Sequence, residues 1–455
     1  MNTLGRSYPY WNREYASVLL TVALPVTLQH VVSIGLNLVD VLMIGRLGVN
    51  ELAAVGAANR IYSLFVMTCF GIVSGFSVYI AQFWGVRDIK NIRRVYGLAI
   101  TATLCVALLF MLLATFAGRP LLFLFVKDPD VVELGLQYLH IAFFSFPFIA
   151  YSFCTSFSSR SLRRLKAATC INALALAINT LLNYMLIFGN FGMPRLGVEG
   201  AAIGTVIARA LELAMLMSYV YISREHPLAG RCKELFSFDK ALTRKVLTTT
   251  APVLGNEASI LMGLTLFAVA VSYLGTEAVA VMQVSMVVND FFMSIFIGLG
   301  SAVAVITGNE LGRGQKDRTY ANGKTALMFA FALALLIGGL LYTSRELIVS
   351  IYAFDPYTSA LFSQTLLVRA LYVPPRMLVY VLIIGLLRAG GDTRYCMLVE
   401  AGSVFLIGVP LSFLGALVFG WQLPAVLALL FCSDLAALLF CLHRFRSKVW
   451  INTLI

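Results

Sequence analysis

Charged residues are scarce in this sequence. They make up 12% of its 455 residues, whereas hydrophobic residues make up 60%. A water-soluble domain carries roughly 25% charged residues, so the composition argues against a soluble fold of this length. Disordered and collagen-like chains are excluded as well, because the first kind is poor in hydrophobic residues and the second needs a regular glycine repeat.

Patterns typical of catalysis or metal binding are also missing. The eight cysteines include no pair with metal-ligand or redox spacing, and we interpret them as small apolar packing residues. The four histidines are scattered, and there is no P-loop, no G-x-S-x-G and no H-E-x-x-H motif. The sequence therefore predicts a protein that is not an enzyme and that carries no cofactor.

Long apolar runs dominate what is present. Twelve runs of about 20 residues recur along the chain. They lie at about 16–44, 54–83, 96–118, 132–159, 167–189, 198–222, 246–273, 278–308, 325–344, 360–387, 396–420 and 423–442. Strands of a membrane barrel are shorter and alternate in polarity. The sequence therefore predicts an all-α integral membrane protein with twelve transmembrane helices.

The two halves of the chain repeat each other at a nearly constant spacing of 227 positions, which slips to 228 in the later part of the repeat. The matched residues include Pro25 and Pro252, Asp128 and Asp355, and Arg160 and Arg388. Each copy holds six spans, so both copies insert the same way up and are parallel repeats. We expect two pseudo-symmetric six-helix bundles, an arrangement that is common among secondary transporters.

The repeat and the polar stretches predict the domain boundaries. These are an N-terminal tail at 1–15, an N-lobe at 16–224 (helices 1–6), a linker at 225–243, a C-lobe at 244–443 (helices 7–12) and a C-terminal tail at 444–455. Basic residues concentrate in alternate loops, which predicts that both termini are cytoplasmic, and we expect a multi-pass protein of the cell inner (plasma) membrane. The net charge of +12 therefore lies along one membrane face, and the expected partner is the lipid bilayer, not nucleic acid.

Asp40 is the most informative charge inside a predicted span. It lies in the segment GLNLVDVLMIGRLG, towards the end of the first helix. A charge within a membrane costs roughly 2.5–3.5 kcal/mol on insertion scales and therefore needs a reason. We expect Asp40 to face the protein interior and to bind a proton or a cation; the alternative is a structural partner for a nearby donor.

Three polar residues in the fifth and sixth helices extend this candidate site. Asn179 and Asn183 are one helical turn apart on one face, and Thr205 lies in the next helix. With Asp40 they offer a carboxylate, two amide carbonyls and a hydroxyl, which are ligands that hard cations such as Na⁺ accept. Polar residues also hold membrane helices together, so this second interpretation stays open.

Glu257 is the corresponding candidate in the second half. Its repeat-mate is His30, and the neighbouring Asn256 pairs with Gln29. Polar groups at equivalent depths of the two first helices suit binding of a substrate or a proton; the alternative is an internal hydrogen bond. We predict that Asp40, Glu257, Asn256 and Gln29 contact the substrate, with His30 as a modulator, since an imidazole is the side chain whose ordinary pKa is closest to neutral pH.

Arg376 follows two prolines in the tenth helix, Pro374 and Pro375, which should break or kink it. The arginine is either a modulator in a moving segment or a buried counter-ion, with Glu257 as the candidate partner. Arg209 and Glu212 are three residues apart and are expected to form a structural pair on one helix face. Glu400 and Asp434 are interpreted as structural.

Several segments together resemble the MATE family (multidrug and toxic compound extrusion). They are ALPVTLQ in the first helix, VDVLMIGRLGVNELAAVG across the first turn, NTLLNYMLIFG in the fifth helix, LGVEGAAIGTVIAR in the sixth, and LLRAGGDTR after the tenth. The resemblance covers essentially the whole chain. It implies export of organic, often cationic and aromatic compounds in exchange for sodium ions or protons.

The resemblance also implies site residues. The N-lobe cation site of bacterial members maps to Asp40, Asn179, Asn183 and Thr205, and the C-lobe acid of the NorM-like branch maps to Glu257. That branch usually carries a second C-lobe acid near the position of Arg376, so an arginine there makes a C-lobe sodium site doubtful. The DinF-like branch, which depends on the N-lobe aspartate, is then the closer mechanistic guide.

The sequence as a whole favours a cation-coupled antiporter that exports amphipathic, cationic drugs and dyes, with Na⁺ or H⁺ as the coupling ion, and that is monomeric. The alternative is a flippase for a lipid-linked precursor. Twelve spans and acidic residues within the membrane argue against the flippase, which would need a larger basic cleft.

Overall fold

The structure of the protein is a computed structural model that describes residues 13–222, 226–352 and 354–455. Most of the predicted tail at 1–15, and the first residue of the linker predicted at 225–243, lie outside these ranges. Within them the chain is helical and forms no β-strand. Twelve helices are long and apolar enough to cross a membrane, which confirms the predicted fold class.

We number the twelve membrane helices α1 to α12. They are α1 (Arg13–Gly45), α2 (Val49–Gly85), α3 (Ile89–Phe123), α4 (Pro129–Ser161), α5 (Leu165–Phe188), α6 (Gly197–Ile222), α7 (Lys240–Ser272), α8 (Thr276–Gly312), α9 (Lys316–Ile351), α10 (Pro356–Leu387), α11 (Thr393–Val418) and α12 (Leu423–Ser447). Most extend beyond the apolar runs. The 37 residues of α2 span roughly 55 Å, more than the ~30 Å hydrocarbon core.

Helix ends repeat as the sequence does. Asp128 caps α4 by accepting a hydrogen bond from the backbone N–H of Asp130, and Asp355 caps α10 by accepting from Tyr357 and Thr358. In both helices a proline occupies the first turn, where it loses no hydrogen bond. The sequence repeat therefore corresponds to a repeat of structure.

The two prolines in α10 do not interrupt it. The α-helix runs from Pro356 to Tyr380 through Pro374 and Pro375, and its pitch then changes to a π-helix over Val381–Leu387. The predicted break at the prolines is therefore not present. The irregular segment lies one to two turns later, directly before Arg388.

By their contacts, the described residues form two compact units. We call Leu28–Thr250 the N-unit, and Ala251–Ile455 together with the described residues up to Thr27 the C-unit. In the N-unit α2 packs on α3 and α4, and α5 packs on α6. In the C-unit α9 and α12 pack on α10. The division lies within α1 and α7, whereas the lobes defined by the sequence repeat keep these helices whole.

Close helix packing within each unit uses small residues, as expected where lipid replaces water. In the N-unit, a Cβ added to Gly75 of α2 would lie 2.6 Å from Thr250 Oγ1 at the start of α7. In the C-unit, a Cβ added to Gly298 of α8 would meet the backbone and side chain of Thr27 in α1. The N-unit core also holds a stacked ring pair, Phe65 and Phe146, with centroids 4.5 Å apart.

The segment after α6 is held against the start of α3. Arg93 Nε donates to the carbonyl of Pro227 at 3.2 Å, and its Nη1 contacts Glu234 at 3.0 Å. His226 is buried, and its Nδ1 accepts a hydrogen bond from the N–H of Leu228 at 3.3 Å. The segment is therefore an ordered part of the N-unit.

Candidate cation site and polar cores

Asp40 lies near the end of α1 and faces α5. Asn183 Nδ2 donates a hydrogen bond to Asp40 Oδ1 at 3.2 Å, and Thr180 Oγ1 donates to the same oxygen at 3.4 Å. The carboxylate is half-buried. It therefore faces protein, as the sequence predicts.

Asn179 and Thr205 form the second half of the predicted set. Asn179 Nδ2 donates to Thr205 Oγ1 at 3.4 Å, and that hydroxyl donates to the carbonyl of Ala201 at 2.9 Å. The hydroxyl of Tyr138 in α4 also lies near Thr205. Because Asn179 lies one turn before Asn183 on α5, both pairs lie on the face of α5 that the sequence predicts.

The oxygen of the Asn183 amide has an unusual environment. It is buried and receives no hydrogen bond. A Cβ added to Gly204 of α6 would lie 2.5 Å from it, so only a glycine leaves room for the amide. A buried acceptor next to a carboxylate suits a proton-bearing group or a hard cation, which takes oxygen ligands.

The residues present fit a sodium ion by their chemistry. Asp40 offers a carboxylate, Asn179 and Asn183 offer amide oxygens, and Thr205 offers a hydroxyl. Among the described residues, no group of three or more His, Cys, Asp or Glu side chains could hold a metal ion. A sodium site here would therefore depend on one acid and neutral oxygens, while a transition metal would lack its usual ligands.

A second polar group of the N-unit lies close to Asp40. Arg209 and Glu212 of α6 form the predicted pair, with Nη1 and Oε2 2.7 Å apart. Arg209 is also close enough to Asp40 to interact with it electrostatically, and it lies near Tyr62 of α2. The predicted pair is confirmed, but its surroundings include the candidate cation site.

Asn172 of α5 links Glu212 to α1. When its amide is oriented to satisfy its neighbours, its nitrogen donates to Glu212 Oε1 at 3.1 Å and its oxygen accepts from Gln29 Nε2 at 2.9 Å. Gln29 and Asp40 are eleven residues apart on α1, about three turns, and so share one face. Polar side chains of α5 therefore contact α1 at two places, Gln29 and Asp40.

The C-unit has an equivalent contact. Asn256 Nδ2 of α7 donates to Glu400 Oε2 of α11 at 2.8 Å. Asn256 is the repeat-mate of Gln29, and Glu400 occupies the repeat position of Asn172, so the two hydrogen bonds correspond. The repeat in sequence has preserved this contact although the residue type differs between the copies at both positions.

Glu257 forms a buried ion pair with Arg388, with Oε1 and Nη2 3.0 Å apart. At the repeat-equivalent positions of the N-unit, His30 lies within electrostatic range of Arg160. Glu257 is 6% exposed and Asn256 is 1% exposed. In this conformation both side chains make internal contacts, the alternative that the sequence left open, and they could contact a substrate only after those contacts open.

Arg376 is a counter-ion, but not for Glu257. Its Nη1 lies 2.7 Å from Asp434 Oδ1 in α12 and 3.9 Å from Glu400 Oε1. The suggestion that Arg376 pairs with Glu257 is therefore wrong. Arg376 cannot replace an acid as a cation ligand, and its single positive charge lies next to two carboxylates.

Sequence reasoning missed Thr180, Tyr138 and Asn172. A helical threonine usually bonds its own backbone, so nothing local indicates that Thr180 contacts Asp40. Asn172 had a detectable signal, because its repeat position holds an acid, Glu400, and a polar position kept in both copies indicates an internal contact.

Comparison with known proteins agrees with this architecture. The MatE family model matches residues 25–185 and 252–414. The probable multidrug resistance protein YoeA of Bacillus subtilis is 27% identical over 405 residues, 86% of this chain and 84% of that protein. The probable multidrug resistance protein NorM of Pasteurella multocida is 26% identical over 407 residues, 88% of this chain and 86% of that protein.

A solved structure has the same fold. The crystal structure of MATE in complex with MaL6 superposes with a TM-score of 0.87 at 16% identity and covers 95% of this chain and 97% of that chain. The two segments matched by the family model correspond to the two copies of the internal repeat and together cover most of the sequence. The chain therefore belongs to the MatE family of membrane transporters.

Proposed function

We propose that the protein is a cation-coupled multidrug efflux antiporter. It exports amphipathic, cationic organic compounds by alternating access, and inward flow of H⁺ or Na⁺ drives the export. Asp40 binds the coupling ion, and Asn179, Asn183 and Thr205 complete its site.

One observation carries this proposal. Asp40, a membrane-embedded acid that is costly to insert, has polar side chains around it instead of a salt bridge. Its nearest partners are the neutral Asn183 and Thr180, and the buried Asn183 oxygen beside it receives no hydrogen bond. Such a carboxylate keeps the capacity to take a proton or a cation. The C-unit acids Glu257 and Asp434 are instead already neutralised by arginines.

Coupling requires that the ion and the drug favour different states of the protein, or that they compete for one group. Asp40 is half-buried, so both a coupling ion and a cationic substrate can reach its carboxylate. We therefore assign Asp40 to both roles. A cationic drug would enter when Asp40 is ionised and leave when Asp40 is neutralised from the other side.

The remaining substrate contacts belong to a second conformation. Gln29, Asn256 and Glu257 become available to the substrate when their internal partners separate. His30 and Arg376 act as modulators, through Arg160 in the N-unit and through Asp434 in the C-unit. Aromatic and methionine side chains supply adaptable contacts to varied organic cations.

The topology is part of the proposal. The chain lies in the cell inner membrane with both termini in the cytoplasm and acts as a monomer. Its lobes are residues 16–224 and 244–443, and the segment 225–243 connects them on the cytoplasmic side. The concentration of basic residues in alternate loops supports this orientation.

The test is dye export from proteoliposomes that contain the full chain. Efflux of ethidium is followed under an imposed proton gradient and then under a sodium gradient, and the effective gradient identifies the coupling ion. Asp40→Asn should abolish export while the protein keeps its monodisperse elution and melting temperature, and Asp130→Asn at an exposed helix start should not. Full export by Asp40→Asn would remove the assignment.

A further inference from the structure

Asp40 and the pair beside it, Arg209 and Glu212, together comprise two acids and one arginine. Arg209 interacts electrostatically with Asp40. It nevertheless forms its ion pair with Glu212, at 2.7 Å. Asp40 therefore keeps neutral partners although a buried positive charge lies nearby.

We propose that Glu212 is a positioning residue that holds Arg209 away from Asp40 and so keeps Asp40 available to the coupling ion. This inference rests on the proposed function of Asp40. It assigns to the pair of Arg209 and Glu212 a part in ion coupling beyond the structural role that the sequence predicts.

Both carboxylate oxygens of Glu212 are fixed. Oε2 contacts Arg209, and Oε1 accepts from Asn172, which in turn accepts from Gln29. Glu212 is 5% exposed, and a buried acid that lost its arginine would be left without compensation. Arg209 also lies close to Tyr62 of α2. The ion pair with Glu212, and the hydrogen bonds that run from Glu212 to α5 and α1, therefore restrain Arg209.

This arrangement gives Arg209 two alternative partners. When a cation occupies Asp40, nothing draws Arg209 from Glu212. When the cation leaves, the ionised Asp40 attracts Arg209 and competes with Glu212 for it. Any movement of Glu212 is transmitted through Asn172 to Gln29, three turns from Asp40 on the same helix, so occupancy of the site affects α1 at a distance.

The electrostatic surroundings of Glu212 determine how the test is read. The polar, charged and titratable groups that contact or act on Glu212, Arg209 and Asp40 include Asn172 of α5, Tyr138 and Arg160 of α4, Tyr62 of α2, and Gln29 and His30 of α1. Asp40 and Glu212 are the two carboxylates in this set. A change of ion dependence that Glu212→Gln causes, and that removal of Arg209 reverses, therefore acts through Arg209 on Asp40.

The experiment compares single and double variants in proteoliposomes. Glu212→Gln releases Arg209 to pair with Asp40, so the Na⁺ or H⁺ concentration that gives half-maximal ethidium export should rise by about tenfold or more. The double variant Glu212→Gln/Arg209→Gln removes the competing charge and should restore the parental ion concentration, or a lower one. Glu133→Gln, in an exposed ion pair with Arg119, serves as the control.

If Glu212 contributed only to stability, Glu212→Gln would lower the melting temperature and leave the ion dependence of export unchanged. If the change in ion dependence did not arise from Arg209, the double variant would not reverse it. Either result overturns the inference. If Glu212→Gln does not fold, the double variant alone decides: an ion requirement about tenfold above the parental one overturns the inference, and a parental or lower one supports it. Loss of export in Asp40→Asn with normal ion dependence in Glu212→Gln removes this inference alone, whereas full export by Asp40→Asn removes the proposed function.

Discussion

Glu257 and Arg388 form a buried ion pair at 3.0 Å, and the repeat-equivalent positions of the N-unit hold His30 and Arg160. One structural position thus has an acid in one copy and an imidazole in the other. The C-unit pair is neutral as a whole. The N-unit instead places its membrane acids, Asp40 and Glu212, around Arg209. The two copies therefore share helix positions but differ in electrostatics.

The ion pair of the C-unit makes a prediction about stability. Glu257→Gln leaves Arg388 buried without a counter-charge, a change that costs roughly 3–5 kcal/mol. We expect a large fall in melting temperature, measured by thermal unfolding in detergent. The double variant Glu257→Gln/Arg388→Gln should recover most of the loss.

Glu346→Gln is the control, because Glu346 lies in an exposed pair with Arg345 and such pairs contribute about 0–1 kcal/mol. Unchanged stability of Glu257→Gln combined with weaker dye binding would contradict the structural interpretation. It would favour Glu257 as a substrate contact in the conformation described here.

Gly204 is predicted to be required by the candidate cation site. A Cβ at this position would lie 2.5 Å from Asn183 Oδ1, so Gly204→Ala must displace the amide that donates to Asp40. We expect ethidium export to fall about tenfold, consistent with the ~1–3 kcal/mol cost of overpacking. Gly56→Ala in α2, where nothing lies within 4 Å of the added atom, should keep parental export. Equal export by the two variants would refute the packing argument.

Thr180 should contribute to the coupling-ion site, although the residues around it in the sequence do not indicate a contact with Asp40. Thr180→Val keeps the shape and removes the hydroxyl that donates to Asp40, a bond worth about 0.5–1.5 kcal/mol. The ion dependence of export should shift by roughly twofold to tenfold with little change in melting temperature. Thr115→Val is the matched control, because Thr115 is exposed and bonds only to its own helix at Met111. A shift of equal size in the control would rule out a specific contact.

His226 predicts a pH dependence of stability outside the membrane spans. Burial, and secondarily the positive charge of Arg164, lower the pKa of His226 from 6.5 to about 4. The unfolded chain therefore binds this proton more readily than the folded one. Its contribution to stability is present above pH 6.5 and is lost as the pH falls towards 4.

Thermal unfolding measured from pH 7.5 to pH 4 checks this sign. His226→Gln should flatten the part of the curve between pH 6.5 and pH 4. His140→Gln, which removes an exposed imidazole, should leave the curve unchanged. An identical pH profile in parent and His226→Gln would show that this histidine does not carry the effect.

The fold was predictable because its signals are long and repeated. Each span carries about 20 apolar residues, and the repeat places Asp128 and Asp355 at equivalent helix starts, where both are caps. The helix ends were less predictable, since α2 and α8 continue as regular helices beyond the apolar runs into polar segments. Hydropathy detects the hydrocarbon core and not the end of the hydrogen-bonded helix.

The parts of the candidate site that could be predicted are pairs of residues on the same helix, because helical spacing alone determines whether they share a face. The helical spacing of Asn179 and Asn183, and of Arg209 and Glu212, fixes a shared face, and the structure confirms the pair on α6. Partners on different helices were not predictable, because they depend on rotation and depth. Arg376 shows this limit: its charge indicated a buried counter-ion, but its partner is Asp434 of α12.

Duplication gave this chain two sets of the same polar positions, and subsequent substitution has made them unequal. The hydrogen bond between Gln29 and Asn172 in one copy corresponds to one between Asn256 and Glu400 in the other, where the acid adds a charge that lies 3.9 Å from Arg376. The polar positions of one copy therefore cannot replace those of the other, and we expect a substitution in one copy not to be compensated by the equivalent residues of the second. An inherited symmetry of shape now carries unequal charges: Asp40 has neutral partners in one half, whereas Glu257 and Asp434 pair with arginines in the other.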